Sequence, residues 1–264
     1  MSDTEALLAV YDRELRREIS YPGMRREVTP TVIRHIGERG DEATVLYSQL
    51  DERSADAAIQ EQIAYFGGLG LAFEWKAFAH DAPADLVQRL SAHGFEVEQP
   101  PDAIMALDLE RAPAALFTPI THDIRRIDDP AQMPAVLRIQ EEVWNEDRAG
   151  LAERLAADLR ADPDQLSVYM AYIDGVAASS AWIYFHPATQ FASLWGGSTL
   201  PAYRKRGLYH ALLAVRAQLA RARGVRYLTV DASPMSRPIL ESSGFHVLTQ
   251  AWACLWHPAV DAVE

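Results

Sequence analysis

The stretch that most restricts the fold is "SVYMAYIDGVAASSAWIYF", residues 167–185. Asp174-Gly175 interrupts two runs rich in aliphatic and aromatic residues and is the strongest short hairpin signal in the chain. Strands joined so tightly lie antiparallel, so the fold must contain a sheet with at least one antiparallel pair.

The rest of the second part of the chain can be read outward from this hairpin. "THDIRRID" is a short strand. "DPAQMPAVLRIQEEVW" is a helix, with Asp129 as N-cap, Pro130 at the first helical position and apolar residues at 133, 136, 137 and 143–144. "AGLAERLAADLRAD" is a second helix, and "FASLWGGSTL", residues 191–200, a strand. The helix "LYHALLAVRAQLARARG" is closed by Gly224 as a left-handed cap. "RYLTVDA" is a strand, "MSRPILESSGF" a short helix ending at Gly244, and "FHVLTQAWACLWH" one or two final strands. The order is β-α-α-β-β-β-α-β-α-β-β.

The proline-bearing segment "ERAPAALFTPITHD", residues 110–123, reads as a linker between parts of about 110 and 150 residues, each large enough for a core. The first part shows "ATVLYSQL" as a strand, "SADAAIQEQIAYFGGLG" as a helix and "AFEWKAFAH" as a strand. "APADLVQRLSAHGF" is then a helix, and "FEVEQPPDAIMALDL" two strands. That order repeats the last six elements of the second part, and "LSAHGFEV" echoes "LESSGFHV", as a diverged internal duplication would. Helix-Gly-Phe-strand is also a common junction, which is the coincidental alternative.

Cys254 is the sole cysteine, which excludes an intrachain disulfide framework and a cysteine-rich metal site. No apolar run approaches the ~20 residues of a membrane helix, and the charged, amphipathic start "MSDTEALLAVYDREL" does not read as a signal peptide. A cytoplasmic location is the expectation. A net charge of −12 argues against nucleic acid as the main partner. Residues 200–240 nevertheless hold eight Lys or Arg and one acid, a segment of +7 in a chain that is −19 elsewhere. Such an island suggests an anion site. The arginines from Arg216 onward read instead as a solvated helix face.

The dense part of the island is "PAYRKRGLYHALL", between a strand and a helix. The first N–H groups of a helix lack intrahelical partners and carry positive partial charge. Gly207 lets a ligand approach the backbone, and Arg204, Lys205 and Arg206 add charge and hydrogen-bond donors. The composition is that of a pyrophosphate cradle. The spacing fits neither GxxxxGK[ST] nor GxGxxG, and a helix start that is merely basic is the alternative.

Residues 204–209, Arg-Lys-Arg-Gly-Leu-Tyr, resemble the [QR]xxGx[GA] turn of the GNAT superfamily of N-acetyltransferases. "STLPAYR" is similar to that family's strand end before the turn, and "ILESSGF" to its later helix ending in Gly-Phe. The resemblance covers about residues 117–257 and implies an α+β, three-layer fold: a mixed, mostly antiparallel central sheet flanked by helices, here preceded by a partial repeat of the same fold. The expected division is a degenerate GNAT-like domain over 1–112 and an acetyl-CoA-binding domain over 117–264. The corresponding turn of the first half, "LDERSADAAI", has neither glycine nor cation run, so that half should bind no coenzyme.

The resemblance implies acetyl-CoA as co-substrate, with no metal. Its pyrophosphate would lie on the N–H groups from Arg206 through Gly207 and Leu208 to Tyr209, and its pantetheine arm along Ser198, Thr199 and Leu200. Ser233 stands where many members carry a coenzyme-touching asparagine, Leu240 where many carry the tyrosine that protonates the leaving thiolate, and Tyr209 where a small residue is usual. The strand "FASLWGGST" has no carboxylate, so the common strand-borne base is missing. Glu141, Glu142 and Ser236 are candidates for catalysis, and Glu146 borders the same region; each carboxylate can also be part of a solvated face. His186 reads as a surface histidine, Tyr203 and Tyr209 as packing residues that can also donate a proton, and Gly196-Gly197 as a bulge or plain strand distortion.

The implied activity is direct acetyl transfer to an amine of a small molecule or peptide by a monomer or homodimer. The alternatives are a non-catalytic acyl-CoA-binding sensor and a nucleotide-phosphate binder.

Overall fold

The computed structural model describes residues 3–37 and 42–258. Helix α1 (Asp3–Tyr11) runs into a π-helical turn over Asp12–Arg17 and is followed by β1 (Met24–Val28), β2 (Val32–Gly37), β3 (Ala43–Ser48), α2 (Ala55–Leu69) and β4 (Phe73–Phe78). Then come α3 (Leu86–Ala92), β5 (Glu96–Val97), β6 (Asp102–Asp108), β7 (Asp123–Ile127), α4 (Met133–Trp144) and α5 (Ala149–Ala161). The last elements are β8 (Leu166–Ile173), β9 (Val176–Phe185), β10 (Phe191–Thr199), α6 (Leu208–Ala222), β11 (Tyr227–Ala232), α7 (Arg237–Ser242) and β12 (His246–Trp256).

The chain forms two compact units that interleave in sequence. One takes the chain up to Ile104, Ala232–Pro238 and the chain from Val247 on; the other takes Met105–Asp231 and Ile239–His246. These units do not coincide with the contiguous spans 1–112 and 117–264. The physical reason is β12, which pairs antiparallel with β4 from Ala251↔Phe78 to Trp256↔Phe73, so the C-terminal strand belongs to the first unit.

In the first unit the strands run β1-β2-β3-β4-β12, with β5 also on β12. In the second they run β11-β10-β9-β8-β7. Pairing is antiparallel except for β3 with β4 and β10 with β11. In both parallel pairs the strands are joined through a helix, α2 or α6, as parallel neighbours require. The β8–β9 turn has Asp174 at φ 50° and Gly175 at φ 78°, the two left-handed residues of a hairpin whose twist matches its strands.

Asp129 accepts the Ala131 N–H at 2.9 Å, but it caps a 3-10 turn over Pro130–Gln132, and α4 proper begins at Met133. The buried stripe of α4 is Met133, Val136, Ile139 and Gln140. Its apolar members pack with Leu155 of α5 and Val168 of β8 in a core of the second unit. Strands β1 and β2 have no counterpart in the sequence reading. β2 buries Arg34 and His35, which masks its apolar pattern. The Arg34 guanidinium is satisfied by Glu27 at 2.7 Å and Gln62 at 2.9 Å and lies over the Tyr65 ring.

Candidate functional site

The parallel pairing of β10 with β11 extends from Phe191↔Tyr227 to Ser193↔Thr229, while β10 continues to Thr199, paired on its other side with β9. Register with β9 slips between Trp195 and Ser198, so Gly196-Gly197 is a bulge. Both glycines have a steric cause. Gly196 has φ 60°, and a Cβ there would lie inside the Trp182 ring. A Cβ on Gly197 would meet Tyr209 Cε2 at 2.9 Å. The Tyr209 ring therefore lies over Gly197, which explains how a bulky residue is accommodated so early in α6. Burial pushes the Tyr209 hydroxyl pKa up, with Arg216 opposing that shift.

Beyond the bulge, the side chains of the strand end are tied inward. Ser179 Oγ donates to Ser198 O at 2.7 Å and lies 2.8 Å from Thr199 Oγ1. Leu200 is buried in the core of this unit. A 3-10 turn over Pro201–Tyr203 leads to the cation run. Arg204 Nε donates to Thr199 O at 3.2 Å, and the Arg206 guanidinium lies 5.5 Å from the Tyr203 ring centroid. Lys205 and Gly207 both have left-handed backbone, φ 63° and 77°. Such conformations in non-glycine residues are uncommon and concentrate at ligand-holding turns.

Gly207 is the N-cap of α6 and has no side chain with which to cap it. Arg204, Lys205 and Arg206 are exposed around it. A substituted Cβ on Gly207 would come within 3.2 Å of His122 Nε2, which itself donates to Arg206 O at 3.0 Å. The structure thus brings together Ser198, Thr199, Leu200, the three cations, Gly207, Leu208 and Tyr209: a strand end, a left-handed turn and an uncapped helix start. That arrangement suits an anion.

The remaining predicted residues are placed differently. Ser233 and Ser236 belong to the first unit, where their hydroxyls lie 3.3 Å apart. Glu141 and Glu142 follow Gln140 on α4, and at 100° per residue they turn away from its buried side. Their carboxylates hold no ion pair or hydrogen bond among the described residues. Glu146 pairs with Arg148 at 2.7 Å. Leu240 is buried.

Two expectations are overturned. Arg216 is not on a solvated face: it is 2% exposed and donates to the carbonyls of Leu212, Trp182 and Trp195 at 2.9, 3.1 and 3.3 Å. Burial lowers its pKa to about 10. Its place in the apolar i, i+4, i+8 row from Leu208 and Leu212 was the available sign. His186 is not a free surface histidine either; it lies 2.8 Å from Ser193 Oγ, and burial lowers its pKa to about 4.

The sequence reading also passed over Gln140, the polar member of the buried α4 stripe. Its amide reaches β9 and β10 at the bulge, and Trp144 Nε1, one turn later, donates to Ser198 Oγ at 3.1 Å. Among the described residues there is no group of three or more His, Cys, Asp or Glu that could hold a metal ion.

Residues 133–245 match the model of the Acetyltransferase (GNAT) family. No curated protein matches the chain. Among solved structures, it is similar to a GCN5-related N-acetyltransferase from Kribbella flavida (15% identity, 99% of this chain and 98% of that one, TM-score 0.70). It is also similar to a functionally unknown conserved protein from Staphylococcus epidermidis (10%, 90% and 96%, 0.63). A third is a GCN5-related glucosamine N-acetyltransferase region of a fungal multi-domain β-N-acetylglucosaminidase (10%, 97% and 37%, 0.61). At these identities the likeness is one of fold.

Proposed function

We propose, from the match of residues 133–245 to the Acetyltransferase (GNAT) family, that the chain is a GNAT acetyltransferase that transfers the acetyl group of acetyl-CoA to the amine of a small molecule or peptide. The observation that carries this reading is the uncapped start of α6 at Gly207, ringed by Arg204, Lys205 and Arg206, directly after a strand that outruns its parallel partner.

The N–H groups from Arg206 to Tyr209 would hold the pyrophosphate of the coenzyme. The guanidinium groups add charge-assisted hydrogen bonds. The backbone of β10 beyond Ser193 would take the pantetheine arm as an added strand. Acetyl-CoA supplies an activated thioester. The protein's part is to align that thioester with a neutral amine, and alignment alone provides a large share of such rates. An amine is mostly protonated at neutral pH, so its proton must leave through a base or water. Glu141 and Glu142 on α4, which hold no ion pair or side-chain hydrogen bond among the described residues, are the proposed acceptors of that proton.

A second reading, a non-catalytic acyl-CoA sensor, is favoured by one observation: Leu240, where the family's tyrosine would protonate the thiolate, is a core residue. Thiol release from acetyl-CoA with a panel of amines, beside calorimetry against acetyl-CoA and ATP, separates the possibilities. Acceptor-dependent thiol release is the expected result. Tight binding with no release under any amine supports the sensor, and preference for ATP overturns both.

A further inference from the structure

We propose that Gln140 is a positioning residue that sets the β10 bulge, and with it the line of backbone groups on which the coenzyme arm would lie. This rests on the coenzyme site proposed above. The Gln140 side chain is fully buried. Its Nε2 donates to Gly196 O at 2.8 Å and to Ser180 Oγ at 2.9 Å. Its Oε1 accepts from Ser198 Oγ at 3.1 Å, and Ser198 Oγ in turn accepts from Trp144 Nε1. One amide thus spans the slip in register: Ser180 and Ser198 are paired across β9 and β10, while Gly196 lies within the slip.

The polarity of this network has one solution. Gly196 O can only accept, so the group facing it must be an amide nitrogen. Rotating the amide by half a turn would set Oε1 against Gly196 O and Nε2 against a serine hydroxyl already fixed by Trp144. A carboxylate would meet the same conflict.

The consequence for the strand follows from peptide geometry. In a trans peptide the carbonyl and the next N–H point in opposite directions. Holding Gly196 O toward α4 therefore aims the Gly197 N–H away from α4. Gly197 is also the residue over which the Tyr209 ring of the coenzyme turn lies. Without the Gln140 bond, a glycine pair has no side chain to hold that peptide in place, and glycine is the residue freest to rotate.

The test uses the full chain, calorimetry with acetyl-CoA, and thermal unfolding to show that each variant is folded. Gln140→Met should weaken acetyl-CoA binding about tenfold or more. Gln140→Glu should lose a similar factor at pH 8 and regain most of it, relative to wild type, near pH 5.5, because a protonated carboxyl recovers one donor for Gly196 O. Ser180→Ala keeps the Gly196 bond and should stay within about threefold of wild type. If Gln140→Met does not fold, the pH-dependent ratio of Gln140→Glu to wild type decides alone. Folded Gln140 variants that bind within about twofold at every pH overturn the proposal. So does a Ser180→Ala loss as large as that of Gln140→Met, which would mark a general packing effect. A wild-type chain that binds no acetyl-CoA overturns the coenzyme site itself, and the two failures are thereby distinguished.

Discussion

Two strand-to-helix turns stand at equivalent points of two parallel crossovers, β3–α2 and β10–α6. In the first, Asp51 fills the turn with its own carboxylate. Its Oδ1 accepts the N–H of Arg53 at 3.0 Å, the N–H of Ser54 at 2.8 Å and the Ser54 hydroxyl at 2.7 Å. Those bonds, led by the Ser54 hydroxyl, hold the Asp51 pKa below the ordinary aspartate range. In the second, the N-cap is a left-handed glycine, Gly207, where the first has Ser54, and the place of Asp51 three residues earlier is taken by Arg204, with Lys205 and Arg206 after it. The first turn carries its own carboxylate, bonded to the N–H groups just before the helix, while the second carries cations in that place. The same crossover layout therefore presents opposite charge in the two turns, because the residues that fill them differ.

The comparison can be broken most directly at Gly207. Gly207→Asp would put a carboxylate into the basic turn, in a left-handed residue and against His122. Acetyl-CoA binding should fall about 100-fold, roughly 2.7 kcal/mol, measured by calorimetry. Affinity within twofold of wild type would show that this turn is not the pyrophosphate site.

Next in size is Gly196→Ala. The added carbon has no room beside Trp182 and the backbone is left-handed, so a loss of about 2–4 kcal/mol in unfolding free energy is expected from overpacking and strain together. Gly197→Ala should cost less, because its neighbour is the edge of the Tyr209 ring. Denaturant unfolding of the two variants tests that order.

Arg206→Ala should weaken acetyl-CoA binding by about three- to tenfold, an exposed charge acting on an anion through screened solvent. The loss should shrink as salt is raised, and a loss indifferent to salt would argue for a packing role beside Tyr203. The smallest effect belongs to the first turn. Asp51→Ala should lower Tm slightly and create no affinity for acetyl-CoA. The sign with pH is set by the lowered pKa: the stabilisation from Asp51 is present above the ordinary aspartate pKa and is lost as pH falls through its lowered value. The gap between wild type and Asp51→Ala should therefore close in acid.

Much of the fold is legible locally. Asp174-Gly175 announces its hairpin. Gly94 and Gly244 close α3 and α7 with φ 89° and 92°, and in each case the following Phe donates back to a leucine carbonyl, Phe95 to Leu90 at 3.1 Å and Phe245 to Leu240 at 3.0 Å. The cation turn is equally plain, because glycine beside clustered arginine signals its chemistry at short range. Buried polar residues are where the reading stopped. Arg34, Gln140 and Arg216 each interrupt an apolar pattern, and each has at least one partner 28 or more residues away in sequence, Gln62, Gly196 and Trp182 respectively.

The chain by itself determined the order of elements from β3 onward, the hairpin, the glycine-closed helix ends and the position of the basic turn, since all of these depend on neighbours a few residues apart. The tertiary structure alone decided that β12 completes the first unit, that Tyr209 packs on Gly197, and that Gln140 grips the Gly196 carbonyl. Each is a contact between segments far apart in sequence, and steric fit and hydrogen-bond satisfaction across such distances exist only after the chain has folded.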